Sequence, residues 1–102
     1  MMRFIRNLVK PSVNYQDLIK AGALVIDVRT PNEYQTGHVN RSINIPLDNF
    51  ENGLSGLKTE QCIIVCCASG MRSAHAKNIL ISNGFKEVYN AGSWRSLNHK
   101  IN

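Results

Sequence analysis

The sequence lacks any long hydrophobic run. No uninterrupted apolar stretch in the 102 residues approaches the roughly 18 residues that a membrane-spanning helix needs. At the amino terminus, Arg6, Asn7 and Lys10 interrupt the apolar residues, which is not typical of a secretory signal. The sequence therefore predicts a cytoplasmic protein that does not bind a membrane.

Cysteine is scarce, and its arrangement is informative. The three cysteines are Cys62, Cys66 and Cys67, an odd number that includes an adjacent pair. This arrangement makes a poor disulfide framework and fits no zinc-binding spacing, so no metal site is predicted. Free thiols of this kind are typical of a reducing compartment.

The chain also lacks a dense basic stripe with interleaved aromatic residues, although its formal net charge is +5. Such a stripe is the usual mark of a nucleic-acid-binding surface, so no nucleic-acid partner is predicted. The scattered positive charge is compatible with solubility and with attraction of small anions.

Length and composition indicate one small domain over residues 1–102, with a core at about residues 12–98. The 43% hydrophobic content suffices for a single core, and the sequence contains no internal repeat. Two nearly continuous apolar runs, residues 23–28 and 62–66, are typical of strands buried on both faces of a parallel sheet. Residues 42–45 and 86–89 predict further short strands.

Capping signals predict helices between these strands. They begin at Asn14, at Thr30-Pro31 with Glu33 at the third helical position, at Asp48 with Glu51, and at Ser73 for the longest helix, which ends at Asn83. Alternating strands and helices predict an α/β domain, with a central parallel sheet of about five short strands flanked by helices on both faces. Ligands of such sheets bind beyond the carboxyl ends of the strands.

The segment that leaves the second buried strand is the strongest candidate for chemistry. Its residues Cys67-Ala68-Ser69-Gly70-Met71-Arg72 are mostly compact, and Gly70 permits a positive φ. A tight curl that enters a helix can direct backbone N–H groups inward as an anion nest. These groups and the Arg72 cation would lower the pKa of a cysteine at the base of the loop. Because strand alternation sends Cys66 and Cys67 to opposite sides, we predict Cys67 as the nucleophile.

Several segments together resemble the rhodanese family. They are residues 25–34 (VIDVRTPNEY) with Gly37-His38-Val39, residues 42–47 (SINIPL), the loop Cys67–Arg72, and residues 88–94 (VYNAGSW). The last segment departs from the double glycine common in the family, because it reads Ala91-Gly92-Ser93. The order of the segments is more specific than any one of them.

The resemblance implies a rhodanese-like fold and a thiosulfate sulfurtransferase that works through a persulfide on Cys67. The donor would be a small anion, thiosulfate or a persulfide, and the acceptor cyanide or a thiol, with no cofactor. A protein partner in a sulfur relay would fit the same chemistry. The residues expected to bind substrate or persulfide surround the nucleophile: Arg72, Ala68, Ser69, Gly70, Met71 and Ser73. Asp27, Arg29 and His38 are expected to brace the loops.

Two rival interpretations stay open. Counted from Cys66, the loop reads Cys-x5-Arg72, the spacing of cysteine-dependent phosphatases and arsenate reductases, although Val65 stands where these enzymes usually carry histidine. The second rival is a non-catalytic or relay module, since fold alone does not determine function. The sequence assigns no role to Cys62, Cys66 or His75.

Overall fold

The structure, a computed structural model, describes residues 12–102. The prediction about the amino terminus, made from Arg6, Asn7 and Lys10, concerns residues outside this range. The elements follow in the order α1 (Tyr15–Lys20), β1 (Leu24–Asp27), α2 (Pro31–Gln35), β2 (Ile43–Asn44), a 3₁₀ helix (Phe50–Leu54), β3 (Ile63–Cys67), α3 (Met71–Ser82), β4 (Val88–Ser93) and α4 (Trp94–Ile101). This alternation confirms the predicted α/β class.

The strands form one parallel sheet in the order β2-β1-β3-β4. Within residues 12–102 the sheet has four strands, one fewer than the approximate number predicted. Strand β3 lies between β1 and β4, and all five of its residues are buried. A parallel strand covered on both faces needs apolar side chains at every position, which explains the continuous run in the sequence.

Successive residues of β3 pack on opposite faces of the sheet. Val65 and Cys67 join the cluster that contains Leu80 of α3, whereas Ile64 and Cys66 join the cluster with Leu97 of α4. The two clusters are the two halves of the core. The predicted separation of Cys66 and Cys67 onto opposite faces is therefore confirmed.

Two of the predicted helix starts have the expected caps. The Asn14 side chain accepts a hydrogen bond from the Asp17 N–H at 3.0 Å. Thr30 and Glu33 form a reciprocal capping box at the start of α2, with Pro31 in the first turn. In both cases a local side-chain oxygen satisfies an N–H group that the helix itself leaves free.

The predicted cap at Asp48 is wrong. The helix there is a 3₁₀ turn over Phe50–Leu54, preceded by Asn49 with φ 65° and without a capping hydrogen bond from a side chain. A capping side chain requires extended backbone, which a left-handed residue does not provide. Burial of Phe50 and Leu54 in the core holds this turn instead.

Helix α4 was not predicted, although the sequence carries its signals. The Ser93 hydroxyl caps it by accepting from the Ser96 N–H at 3.3 Å. Trp94 and Leu97, three residues apart, are buried, and Ile101 packs beside them. In the part of the chain that the structure describes, no helix combines the length and the apolar character needed to cross a membrane.

Candidate active site

Strand β3 delivers Cys67 to the carboxyl edge of the sheet. Cys67 is its last residue, and α3 begins four residues later at Met71. Gly70 precedes this helix with φ 110°, and a Cβ on it would lie 3.3 Å from the Gly92 Cα. Both the left-handed backbone and the close approach to Gly92 therefore favour glycine at this position.

The Cys67 sulfur lies against the loop and the start of the helix. Sγ accepts a hydrogen bond from the Gly70 N–H at 2.9 Å and lies 3.3 Å from the Ser73 Oγ. The residue is 0% exposed, although Ala68 and Ser69 above it are exposed. The Cys67 sulfur is therefore less accessible than the open anion nest that the sequence predicts.

Burial raises the pKa of the Cys67 thiol, but hydrogen bonds to the sulfur outweigh this effect. They come from the Ser73 hydroxyl and from the backbone of Ser73, Gly70 and Ser69, and they bring the pKa below its ordinary value of 9.0. Donors directed at a thiolate stabilise it because they compensate the negative charge. Hydrogen bonds therefore lower the pKa of Cys67 more than the Arg72 cation that the sequence indicated.

Asn90 of β4 connects this loop to the sheet. Its Oδ1 accepts from the Ser73 Oγ at 2.6 Å and from the Gly92 N–H at 2.9 Å, while its Nδ2 donates to the Gly70 carbonyl at 3.1 Å. Asn90 thus contacts Ser73 and Gly70, two of the residues that hydrogen-bond to the Cys67 sulfur. Sequence reasoning missed this residue, although it belongs to the VYNAGSW segment.

Cys66 lies in a very different environment. It is 0% exposed and packs in the cluster with Trp94 and Leu97, on the face of the sheet away from Cys67. Burial, with the nearby Asp27 carboxylate, raises the pKa of Cys66 to about 12. A thiol that stays protonated at neutral pH is a poor nucleophile, which argues against the Cys66-x5-Arg72 interpretation.

Arg72 forms a two-point ion pair with Glu33. Nη1 lies 2.7 Å from Oε1 and Nη2 lies 3.0 Å from Oε2, with both side chains about one-third exposed. The Arg72 guanidinium, with the Thr30 N–H, holds the pKa of Glu33 at about 2. The guanidinium predicted to bind substrate thus already contacts a carboxylate, and sequence reasoning assigned Glu33 only to a helix cap.

Asp27 and Arg29 form a buried ion pair beneath the loops. The Arg29 Nη2 lies 2.7 Å from the Asp27 Oδ2, and also 2.7 Å from the Gly37 carbonyl. The guanidinium carbon lies 4.7 Å from the centre of the Trp94 ring. This ion pair joins the end of β1 to the turn after α2 and to α4.

The remaining candidates contact other groups or face solvent. The His38 ring stacks on the Tyr34 ring at 3.7 Å, and its Nδ1 lies 2.7 Å from the Tyr34 carbonyl. His75 is exposed and lines a surface hollow with Glu51. Met71 is 82% exposed. Within residues 12–102, no hydrogen bond runs from Ala68, Met71 or Arg72 to the Cys67 sulfur, and their substrate contacts stay predictions.

A parallel α/β sheet with a cysteine at the end of an interior strand, just before the turn into a helix, defines the class of this site. Residues 12–99 match the family of the rhodanese-like domain. The chain therefore belongs to the rhodanese-like domain family, as the resemblance predicted.

Individual relatives agree with this assignment. The chain is 35% identical over 80 residues to the uncharacterized protein YqhL of Bacillus subtilis, covering 78% of this chain and 64% of YqhL. It is 36% identical over 74 residues to the thiosulfate sulfurtransferase PspE of Escherichia coli, covering 71% of each. The human single-domain sulfurtransferase TSTD1 is similar in structure, with a TM-score of 0.77 at 25% identity over 90% of this chain and 98% of TSTD1. The chain spans about two thirds of the length of the curated relatives it matches.

Proposed function

We propose that this protein is a sulfurtransferase that moves sulfane sulfur from a donor such as thiosulfate to cyanide or a thiol through a persulfide on Cys67. The observation that carries the proposal is the 2.9 Å hydrogen bond from the Gly70 N–H to the Cys67 sulfur at the start of α3. Membership of the rhodanese-like family and similarity to proteins named thiosulfate sulfurtransferase support it.

The proposed reaction needs only the thiolate and two substrates. The Cys67 sulfur attacks the outer sulfur of thiosulfate, the donor's S–S bond breaks, and sulfite leaves with its electron pair. The charge then rests on the outer sulfur of the Cys67 persulfide, where the donors around Sγ can stabilise it. Cyanide or a thiolate attacks this outer sulfur and releases the Cys67 thiolate. A protein acceptor in a sulfur relay would use the same second step.

Intact mass spectrometry tests the proposal directly. Incubation with thiosulfate, without a reductant, should add the mass of one sulfur atom, and peptide mapping should place it on Cys67. Cys67→Ser should not gain the mass, whereas Cys66→Ala and Cys62→Ala should gain it as the wild type does. Absence of an adduct on the wild type would contradict transfer from thiosulfate, and absence with a persulfide donor as well would contradict both enzyme and relay roles. Hydrolysis of an aryl phosphate that depends on Cys66 would favour the phosphatase interpretation instead.

A further inference from the structure

The ion pair between Arg72 and Glu33 changes the electrostatics of the proposed donor site. Glu33 also accepts from the Thr30 N–H at 3.0 Å and the Thr30 Oγ1 at 3.1 Å, so the start of α2 holds its carboxylate in place. Its pKa of about 2 keeps the carboxylate charged at any pH at which the protein would be assayed. The Arg72–Glu33 pair therefore adds no net charge to this end of the sheet.

Among the described residues, Arg29, Arg95 and Asp48 do not give this end of the sheet a net positive charge. Arg29 is compensated by Asp27, to which it is bound at 2.7 Å. Arg95 holds its guanidinium 5.0 Å from the centre of the Trp94 ring, which packs on the face opposite Cys67. Asp48 lines the surface hollow beside Arg72 and adds a further carboxylate.

The negative charge of the Cys67 thiolate further disfavours a donor that carries two negative charges. The Arg29 and Arg72 guanidinium groups are each paired with a carboxylate, so the Cys67 thiolate adds a negative charge that neither arginine is free to balance. A dianion that approaches this thiolate meets more repulsion than a monoanion, in proportion to its charge. The chain's overall charge of +5 attracts both kinds of donor from a distance but does not distinguish them at the site.

We propose that Glu33 is a specificity-determining residue, which, by neutralising Arg72, selects sulfur donors that carry at most one negative charge over the dianion thiosulfate. This inference rests on the sulfurtransferase function proposed above and assigns its donor class. Thiosulfonates and organic persulfides are such donors. With a persulfide R–S–SH, the Cys67 thiolate attacks the outer sulfur, the thiolate R–S⁻ leaves, and Cys67–S–SH remains.

Two small donors that differ by one charge test the proposal. Methanethiosulfonate has a methyl group where thiosulfate has an oxygen anion, and it transfers the same sulfane sulfur with loss of methanesulfinate. At low ionic strength, Glu33→Gln should raise kcat/KM for thiosulfate relative to methanethiosulfonate by about threefold to tenfold, through KM, because it removes one nearby negative charge. Added salt should reduce the difference between wild type and variant.

Glutamine suits this test because it removes the charge and keeps the cap. Its side-chain oxygen can still accept from Thr30, as glutamine does in other capping boxes. Glu60→Gln is the matched control, since Glu60 is exposed and precedes β3, at the opposite end of the sheet from Cys67. The control makes the same change in net charge and should leave the donor ratio unchanged.

The outcomes separate this inference from the proposed function. Loss of persulfide formation with both donors in the wild type would overturn the function itself. Activity with both donors, but a ratio that Glu33→Gln leaves unchanged or shifts toward methanethiosulfonate, would overturn the role of Glu33 alone. Both donors are measured on one preparation, so a variant that folds only partly still gives a valid ratio.

Discussion

The Ser73 hydroxyl lies between two acceptors, 2.6 Å from the Asn90 Oδ1 and 3.3 Å from the Cys67 Sγ. A hydroxyl has one proton to donate. While Cys67 is a thiol, its S–H can point to the Ser73 oxygen as Ser73 donates to Asn90. Once Cys67 is a thiolate, the Ser73 proton must turn toward sulfur to stabilise it. The state of Cys67 is thus coupled to the hydrogen bond between Ser73 and Asn90.

The first prediction follows from this coupling. Ser73→Ala should raise the pKa of Cys67, because the Ser73 hydroxyl is the largest of the stabilising contacts to its thiolate. Hydrogen bonds to charged groups are strong enough that alkylation by iodoacetamide near neutral pH should slow by about tenfold. Ser69→Ala is the matched control, because the Ser69 backbone acts on the sulfur and its side chain does not. Equal rates in the wild type and Ser73→Ala would show that the hydroxyl does not stabilise the thiolate.

The second prediction concerns the order in which the three cysteines react. The thiolate is the reactive form, so labelling at each position should rise as the pH passes the pKa of that thiol. Cys67, with its lowered pKa, should therefore be labelled at a lower pH than Cys62, whose pKa is raised by burial and by Glu87. Cys66, with a pKa of about 12, should stay unlabelled in the folded protein.

Peptide mapping after brief iodoacetamide treatment across a pH series measures this order. Cys67 is buried. Its alkylation rate at a pH well above its pKa should therefore lie below that of a free thiolate of the same pKa. The size of this difference measures how often the loop opens. Labelling of Cys66 before Cys67 would contradict the assignment of the nucleophile.

Much of the fold was predictable from local signals. Strand β3 is a continuous apolar run because it is covered on both faces, and Thr30-Pro31 with Glu33 marks a helix start by short-range hydrogen bonds alone. The position of Cys67 between a buried strand and a helix was predictable for the same reason, since strand, loop and helix are contiguous. Such features depend on residues close in the chain, where pattern and structure are directly linked.

The residues that contact Arg72 and Ser73 from distant parts of the chain were harder to predict. Glu33 and Arg72 are 39 residues apart, and the capping box already explains Glu33 locally, so nothing in the sequence pairs them. Asn90 reaches Ser73, 17 residues away, from β4, whose register against β3 shifts between Val65 and Cys66. The pairing of β4 with β3, which the sequence does not reveal, brings Asn90 within reach of Ser73.

The third prediction addresses the glycine that precedes α3. Gly70→Ala should destabilise the protein, because alanine at φ 110° is strained and its Cβ would lie 3.3 Å from the Gly92 backbone. The left-handed conformation alone costs about 1–2 kcal/mol, and the close contact adds to it. Sulfur transfer should also fall, because the backbone shift that relieves this strain would move the residue-70 N–H away from the Cys67 sulfur.

Gly56→Ala separates these contributions. Gly56 also has a positive φ, 88°, but a Cβ on it would meet no atom within 4 Å, so only backbone strain applies. Chemical denaturation should show a larger loss of unfolding free energy for Gly70→Ala than for Gly56→Ala, and only the former should lose activity. Equal losses of stability and unchanged activity would remove the special role of Gly70.

The fourth prediction compares the two arginines that pack on Trp94. Arg29 is buried with Asp27 and donates to the Gly37 carbonyl, whereas Arg95 is exposed on the same ring. Arg29→Met keeps much of the packing but leaves the Asp27 carboxylate buried without its cation, which costs about 3–5 kcal/mol of unfolding free energy. Arg95→Met removes only an exposed cation–π contact, worth about 0.5–1 kcal/mol. Thermal unfolding of the two variants should therefore differ widely although each loses one guanidinium from Trp94. Similar melting temperatures would mean that stacking on the ring, and not the ion pair with Asp27, holds the end of β1 in place.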